Sequence, residues 1–151
     1  NEIVQYYLAT LKYTAKLFTK WGFREILEKQ AASILQPDVC HAGGINEVRI
    51  IAGMAEASYA GIAPHNPLGP ISLAACIQLD ASIPNFVAQE HTMLGEGYLK
   101  NPFVFKDGFV ELPTGPGLGI ELDEDALEDK IDHDWRNPET YHPDDNSVVD
   151  W

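Results

Sequence analysis

Apolar positions along this chain follow two patterns that alternate from about residue 17 to residue 90: recurrence every three or four residues, and short unbroken runs. Phe23, Ile26, Leu27 and Gln30 keep helical spacing and predict an amphipathic helix over 23–32. Ser33 to Val39 reads as a short strand that closes on Pro37-Asp38. After the turn His41-Ala42-Gly43-Gly44, the positions Ile45, Val48, Ala52, Ala55 and Tyr59 predict a second helix, with Gly61 as its stop. Ile62-Ala63 is a second short strand, ending at Pro64-His65. A loop from Asn66 to Gly69 leads to Pro70, whose missing N–H costs nothing at the first position of a helix, and the helix is predicted over 71–81. Phe86-Val87-Ala88 makes a third strand, ending at Gln89-Glu90. Ile3, Tyr7 and Leu11 place one more helix at the head of the chain.

Strand, helix, strand, helix, strand is the order of parallel strands joined by crossovers. Short apolar strands of this kind suit either a (β/α) barrel or a doubly wound sheet. Beyond Glu90 the helical pattern stops. Pro102, Gly108, Pro113, Gly115, Pro116, Gly117 and Gly119 punctuate an irregular return segment, with a hairpin expected at Lys106-Asp107-Gly108. The last stretch is a polar tail in which Trp135, Tyr141 and Trp151 are the anchors. The chain thus divides into a helical head over 1–16, a strand–helix unit over 17–100, and a return segment with an acidic tail over 101–151.

A length of 151 residues suits one domain at most, and 45% hydrophobic residues can build a core if suitable partners cover it. The net charge of −13 argues against nucleic acid or an anionic membrane as a partner. Much of the acid follows Gly119, in Glu121-Leu122-Asp123-Glu124-Asp125 and in Asp144-Asp145, and reads as a solvated surface. Cys40 and Cys76 stand in apolar surroundings outside any C-x-x-C pair. They are expected to be buried thiols, not a disulfide or a zinc site, as in a cytosolic protein. No apolar run spans a membrane, and a head carrying Glu2 without a basic stretch does not read as a signal peptide, so a cytoplasmic location is expected.

Three ionisable residues share one topological position: Asp38 ends the first strand, His65 the second and Glu90 the third. In a barrel, strand C-terminal ends open on one face, where catalytic groups gather. A His beside an Asp makes a general base whose tautomer the carboxylate fixes, and a neighbouring carboxyl can hydrogen-bond to a substrate oxygen. Residues at strand ends also serve as caps and loop anchors, and spacing does not decide between the two. Other motifs are weaker. Gly115-Pro116-Gly117-Leu118-Gly119 reads as a turn, because Pro116 removes an amide donor from any phosphate loop. The acidic run at Asp123 lacks the glycine and terminal Glu of a calcium loop and reads as a helix start. Gly43-Gly44 reads as a turn before an anion site. His41, His91, His133 and His142 read as structural or surface residues, His41 least firmly because it lies in the loop at the mouth.

The stretch Leu35-Gln36-Pro37-Asp38-Val39-Cys40-His41-Ala42-Gly43-Gly44-Ile45 resembles the sixth barrel strand and its loop in acid-sugar dehydratases of the enolase superfamily (mandelate racemase/muconate lactonizing enzyme type), most of all galactonate dehydratases. Ala63-Pro64-His65-Asn66-Pro67-Leu68-Gly69-Pro70-Ile71 resembles their seventh-strand motif, and Gln89-Glu90 falls at the place of their eighth-strand glutamate. Pro116-Gly117-Leu118-Gly119 and the ending from Trp135-Arg136-Asn137-Pro138 to Trp151 are also similar, so the resemblance runs from about Leu17 to Trp151. It implies an α/β fold holding the last three strands of a TIM-type barrel, with their helices and an irregular C-terminal tail, the barrel being incomplete. It further implies a sugar-acid substrate, His65 as the general base that takes the proton α to the carboxylate, Asp38 as its dyad partner, and Glu90 as hydrogen-bond partner of the carboxylate as it becomes an enediolate. Loss of the 3-hydroxyl would then give a 2-keto-3-deoxy acid, with Mg2+ stabilising the dianion in the intact family enzyme.

The departures from that pattern are specific. Two metal-binding carboxylates and the histidine that protonates the leaving hydroxyl belong to earlier strands. The third metal ligand belongs to a Gly-Glu-Arg-Leu-Phe-like segment, aligned here with Thr14-Ala15-Lys16-Leu17-Phe18, so Ala15 stands at the glutamate position and offers no oxygen. Mg2+ is therefore not expected on this chain, its head is expected to depart from the family pattern as in a truncated or misassembled gene product, and the chain alone is expected to be catalytically incompetent. Association with itself or with the missing barrel half is expected. The alternative is a non-catalytic fragment or pseudoenzyme that packs on another chain.

Overall fold

Phe23 and Leu27 lie one helical turn apart and are buried on the inner side of α1 (Thr19–Glu28), while Arg24, Glu25 and Glu28 face outward. The computed structural model describes residues 13–130, 140–141, 144–145 and 148–150. The helix expected from Ile3, Tyr7 and Leu11, the anchors Trp135 and Trp151, and His133 and His142 lie outside the described residues, although residues 13–15 are helical. α1 begins and ends four residues earlier than predicted. Its second N–H, that of Lys20, is received by the Glu47 carboxylate at 2.8 Å, a tertiary contact that supports an earlier start. At the other end Gln30 takes a left-handed φ of 49°, and the N–H groups of Gln30 and Ala31 return to Leu27 and Ile26 in a Schellman closure. Gln30 is thus part of the stop and not of the apolar face.

β1 (Ile34–Leu35) is shorter than the predicted 33–39. Pro37 has no N–H to give, and beyond it only the bridge of Asp38 to His65 continues the pairing. α2 (Ile45–Ala57) buries Val48, Ile51, Ala52 and Ala55. It stops four residues before Gly61, which is instead the first residue of β2 (Gly61–Ile62). The stop is again a Schellman closure, Tyr59 to Glu56 and Ala60 to Ala55, with Tyr59 in the left-handed region at φ 58°. Tyr59, predicted on the apolar face, is 97% exposed.

β1 and β2 run parallel, with Ile34 opposite Gly61 and Leu35 opposite Ile62. α3 (Pro70–Asp80) starts on Pro70 as its sequence predicts. The third predicted strand, 86–88, is reduced to a parallel bridge of Phe86 to Ile62, held by Ile62 N–H to Asn85 O and Val87 N–H to Ile62 O. It has a hydrogen-bonded neighbour on its β2 side only among the described residues, and Phe86 and Val87 remain exposed. The order and sense of these elements are those of a partial TIM-type barrel of the α/β class that does not close.

α3 is apolar on all sides because two cores claim it. Cys76 and Leu79 join Phe23, Leu35, Val48, Ile51 and Ile62 in one cluster, and Leu73, Ala74 and Ile77 join Leu99 and Phe103 in the other. The second cluster is completed by the return segment, whose hairpin pairs β3 (Phe105–Lys106) with β4 (Phe109–Val110). Asp107 and Gly108 connect them with φ of 52° and 87°, the two left-handed residues that a primed two-residue turn needs. Asp123 caps α4 (Glu124–Leu127) by accepting the Ala126 N–H, as expected of a helix start. A 3-10 turn follows over Glu128–Lys130, and β5 (Thr140–Tyr141) pairs antiparallel with β6 (Val148–Asp150). Cys40 is exposed, contrary to expectation, because it stands on the turn after β1 with its Sγ 3.4 Å from Ser72 Oγ; Cys76 is buried. No helix among the described residues is long and apolar enough to cross a membrane.

Candidate functional site

Asp38 is fully buried at the tip of β1, and four groups surround its carboxylate. Oδ1 accepts the backbone N–H groups of Cys40 at 2.8 Å and His41 at 3.1 Å, the local turn that an Asp side chain favours. Oδ2 lies 3.1 Å from Nδ1 of His65 and 3.4 Å from Nδ1 of His41. The parallel bridge between Asp38 and His65 sets the first of these distances, since it places the two strand tips side by side. A carboxylate only accepts, so in the neutral imidazole it is Nδ1 of His65 that carries the proton and Nε2 that keeps its lone pair.

Nε2 faces Glu90. Its distance to Oε2 is 3.9 Å, beyond hydrogen-bonding range, so the two groups stand against one another without a bond between them. Glu90 is held there because the N–H of Asn66, the residue after His65, donates to the same Oε2 at 2.9 Å. Gln89 ties the third segment to the second through its amide, which donates to Pro64 O at 3.3 Å. Asp38, His65 and Glu90, read from sequence as three strand ends, therefore stand together on one edge of the sheet.

Two participants were not foreseen. His41, read as structural or surface, shares the Asp38 oxygen with His65; its position three residues after Asp38, in a turn that the Asp side chain closes, was the available signal. Asn66 orients Glu90 through its backbone, for which side-chain identity gives no signal. Its own carboxamide is buried with neither polar atom paired within the described residues.

The magnesium that the resemblance implies does not fit these residues. Ala15 is buried and presents a methyl group. Both Asp38 oxygens are committed to N–H groups and imidazoles, and no group of three or more His, Cys, Asp or Glu is arranged to hold a metal among the described residues.

The family model described as "Enolase C-terminal domain-like" matches residues 13–126. Solved structures resemble the chain closely over part of their length. One from Burkholderia SAR-1, provisionally named a mandelate racemase/muconate lactonizing enzyme, is 41% identical with a TM-score of 0.72 over 76% of this chain and 30% of its own. A provisionally named dehydratase from Mesorhizobium loti is 39% identical, TM-score 0.69, over 75% of this chain and 32% of its own. An enolase from Agrobacterium radiobacter, provisionally named a galactarate dehydratase and bound to Na and L-malate, is 34% identical, TM-score 0.75, over 89% of this chain and 38% of its own. The chain spans about a third of the length of these relatives.

Proposed function

The chain belongs to the enolase C-terminal domain-like family, and from that premise we propose that it carries the proton-abstracting side of an acid-sugar dehydratase site of the galactonate dehydratase kind. One observation carries the reading: a single imidazole spans the gap between the buried Asp38 carboxylate, 3.1 Å from Nδ1, and the Glu90 carboxyl, 3.9 Å from Nε2. Relatives provisionally named dehydratases support it.

A substrate carboxylate seated beside Nε2 and Glu90, on the open side of the pair, would bring its α-carbon to Nε2. His65 takes the α-proton, the C–H electrons pass into the carboxylate as an enediolate, and Asp38 stabilises the imidazolium so formed. Glu90 is the neighbouring carboxyl placed to partner the substrate oxygen where charge accumulates. Completion of the elimination expels the 3-hydroxyl as water and leaves an enol that becomes the 2-keto-3-deoxy acid. That step needs an acid for the leaving hydroxyl and a cation for the dianion, and the described residues supply neither. In this reading His65, Asp38 and Glu90 bind and polarise a sugar acid without turning it over. The unpaired thiols Cys40 and Cys76 agree with a cytoplasmic setting.

The test is galactonate and galactarate titration of the chain with its histidines observed by NMR, alongside an assay for 2-keto-3-deoxy acid in the presence of Mg2+. We expect the His65 resonances to move and His65→Ala to abolish binding, with no product. A site unmoved by any hexonate or hexarate overturns the reading. Product formation that His65→Ala abolishes overturns the claim of incompetence. A second reading, a non-catalytic unit that packs on another chain, is favoured by the exposed Phe86, Val87 and Phe109.

A further inference from the structure

A cavity of about 440 Å³ lies between α3, the 86–91 segment and the β3–β4 hairpin. Its walls are largely apolar, with Leu73, Ile77, Phe86, Leu94 and Phe109 among them, but Asp80 and Gln89 also line it. Each of these two has a buried oxygen that no group in the described residues satisfies, Oδ1 of Asp80 and Oε1 of Gln89. The Gln89 amide is not free to turn its nitrogen inward, because that nitrogen donates to Pro64 O and Glu90 O. Gln89 Oε1 is thus an acceptor, and Asp80 Oδ1 is one whenever its carboxyl is ionised.

The electrostatics agree. Asp80 is the last residue of α3, where the carbonyl end of the helix already carries partial negative charge, and no basic residue stands in the last turn. Burial pushes its carboxyl up to about 8, with no cation among the described residues opposing the shift. Cys76 is a buried thiol pushed up to about 12, first by burial and then by the charge of Asp80, and His91 is exposed with its ring against Phe105. Lys106 and Asp107 of the hairpin are exposed and do not line the cavity. An unpaired buried acceptor is costly, so two unsatisfied oxygens in one largely apolar cavity favour a ligand that carries donors.

We propose that this cavity is a binding site for a guanidinium or ammonium group on an apolar stem, the stem lying against Ile77, Phe86 and Phe109 and the cationic head donating to Asp80 and Gln89. It is separate from the His65 site and does not depend on the function proposed above. Such a head could arrive as a free alkylamine or alkylguanidine or as a basic side chain of a polypeptide.

The probes are n-pentylguanidinium, n-pentylammonium and n-pentanol, titrated into the full chain with the Asp80 carboxyl followed by 13C NMR. We expect the two cations to bind, to lower the titration midpoint of Asp80, and to bind at least tenfold more weakly to Asp80→Asn. Pentanol is expected to bind no better to the wild type than to that variant. If Asp80→Asn does not fold, the cation-dependent drop in the Asp80 midpoint of the wild-type chain remains the criterion. Absence of that drop, or equal binding of pentanol and pentylguanidinium, overturns the proposal. A short apolar peptide with one arginine, compared with its alanine counterpart, separates the sources: arginine-dependent binding tighter than that of pentylguanidinium assigns the site to a polypeptide side chain, and weaker binding assigns it to a small cation.

Discussion

At the scale of single residues, two carboxyl groups, Asp38 fully buried and Asp80 largely so, have opposite fates. Asp38 is surrounded by donors: two backbone N–H groups and two imidazoles. Asp38→Ala removes the acceptor from all of them, and a stability loss of about 3 kcal/mol is expected in urea unfolding, since hydrogen bonds to a charged group are the strong ones. A loss below about 1 kcal/mol would show that the turn holds without its carboxylate. Asp80 Oδ1 has no such partner among the described residues, and burial raises the carboxyl from its ordinary 3.8 to about 8. Between those limits the folded chain keeps a proton that the unfolded chain has released. The contribution of Asp80 to stability is therefore full below about 4 and declines as pH rises toward 8. Asp80→Asn should remove that decline, so the stability difference between variant and wild type grows across this window; parallel pH profiles would contradict the assignment.

At the scale of elements, α1 and α2 end in the same way, each with a non-glycine residue in the left-handed region, Gln30 and Tyr59. Glycine accepts that conformation without the steric cost that a Cβ incurs. Tyr59 is 97% exposed and buries little, so Tyr59→Gly loses little packing while relieving strain at the stop. A gain of about 1 kcal/mol is expected, read as a higher melting temperature. A lower one would mean that the exposed ring contributes a contact in solution. The start of α1 shows why element boundaries escape sequence reading. The N–H of Lys20 finds its acceptor on Glu47, a residue of α2, and Lys20 also pairs its ammonium with that carboxylate at 3.0 Å. The pair holds the Glu47 carboxyl below its ordinary range, the backbone N–H first and the side chain second.

At the scale of the whole molecule, the 86–88 side of the sheet is an exposed flank. Val87 at 53% and Phe109 at 77% exposure lie beside a cavity with unsatisfied oxygens, and segment 86–88 has its hydrogen-bonded neighbour on the β2 side only among the described residues. Open strand edges and apolar patches promote association. The chain alone is expected to self-associate, with a melting temperature and sedimentation coefficient that depend on concentration. A sharp transition that does not change with dilution would show that this flank is tolerated by a monomer. The net charge of −13 opposes association at low salt, so the concentration dependence should strengthen as salt is added.

The order of elements, the parallel sense of the strands, the start of α3 on Pro70 and the hairpin at Asp107-Gly108 were legible in the chain itself. Each depends on local spacing or on the backbone limits of proline, glycine and aspartate, and such constraints act within a few residues. The three tips Asp38, His65 and Glu90 were legible as positions. Their distances, the sharing of Asp38 by His41, the role of the Asn66 amide, the exposure of Cys40 and Tyr59 and the cavity at Asp80 were decided only by the tertiary structure. Those features arise where segments far apart in the chain meet, and what a polar group finds there is set by packing and not by its neighbours in sequence.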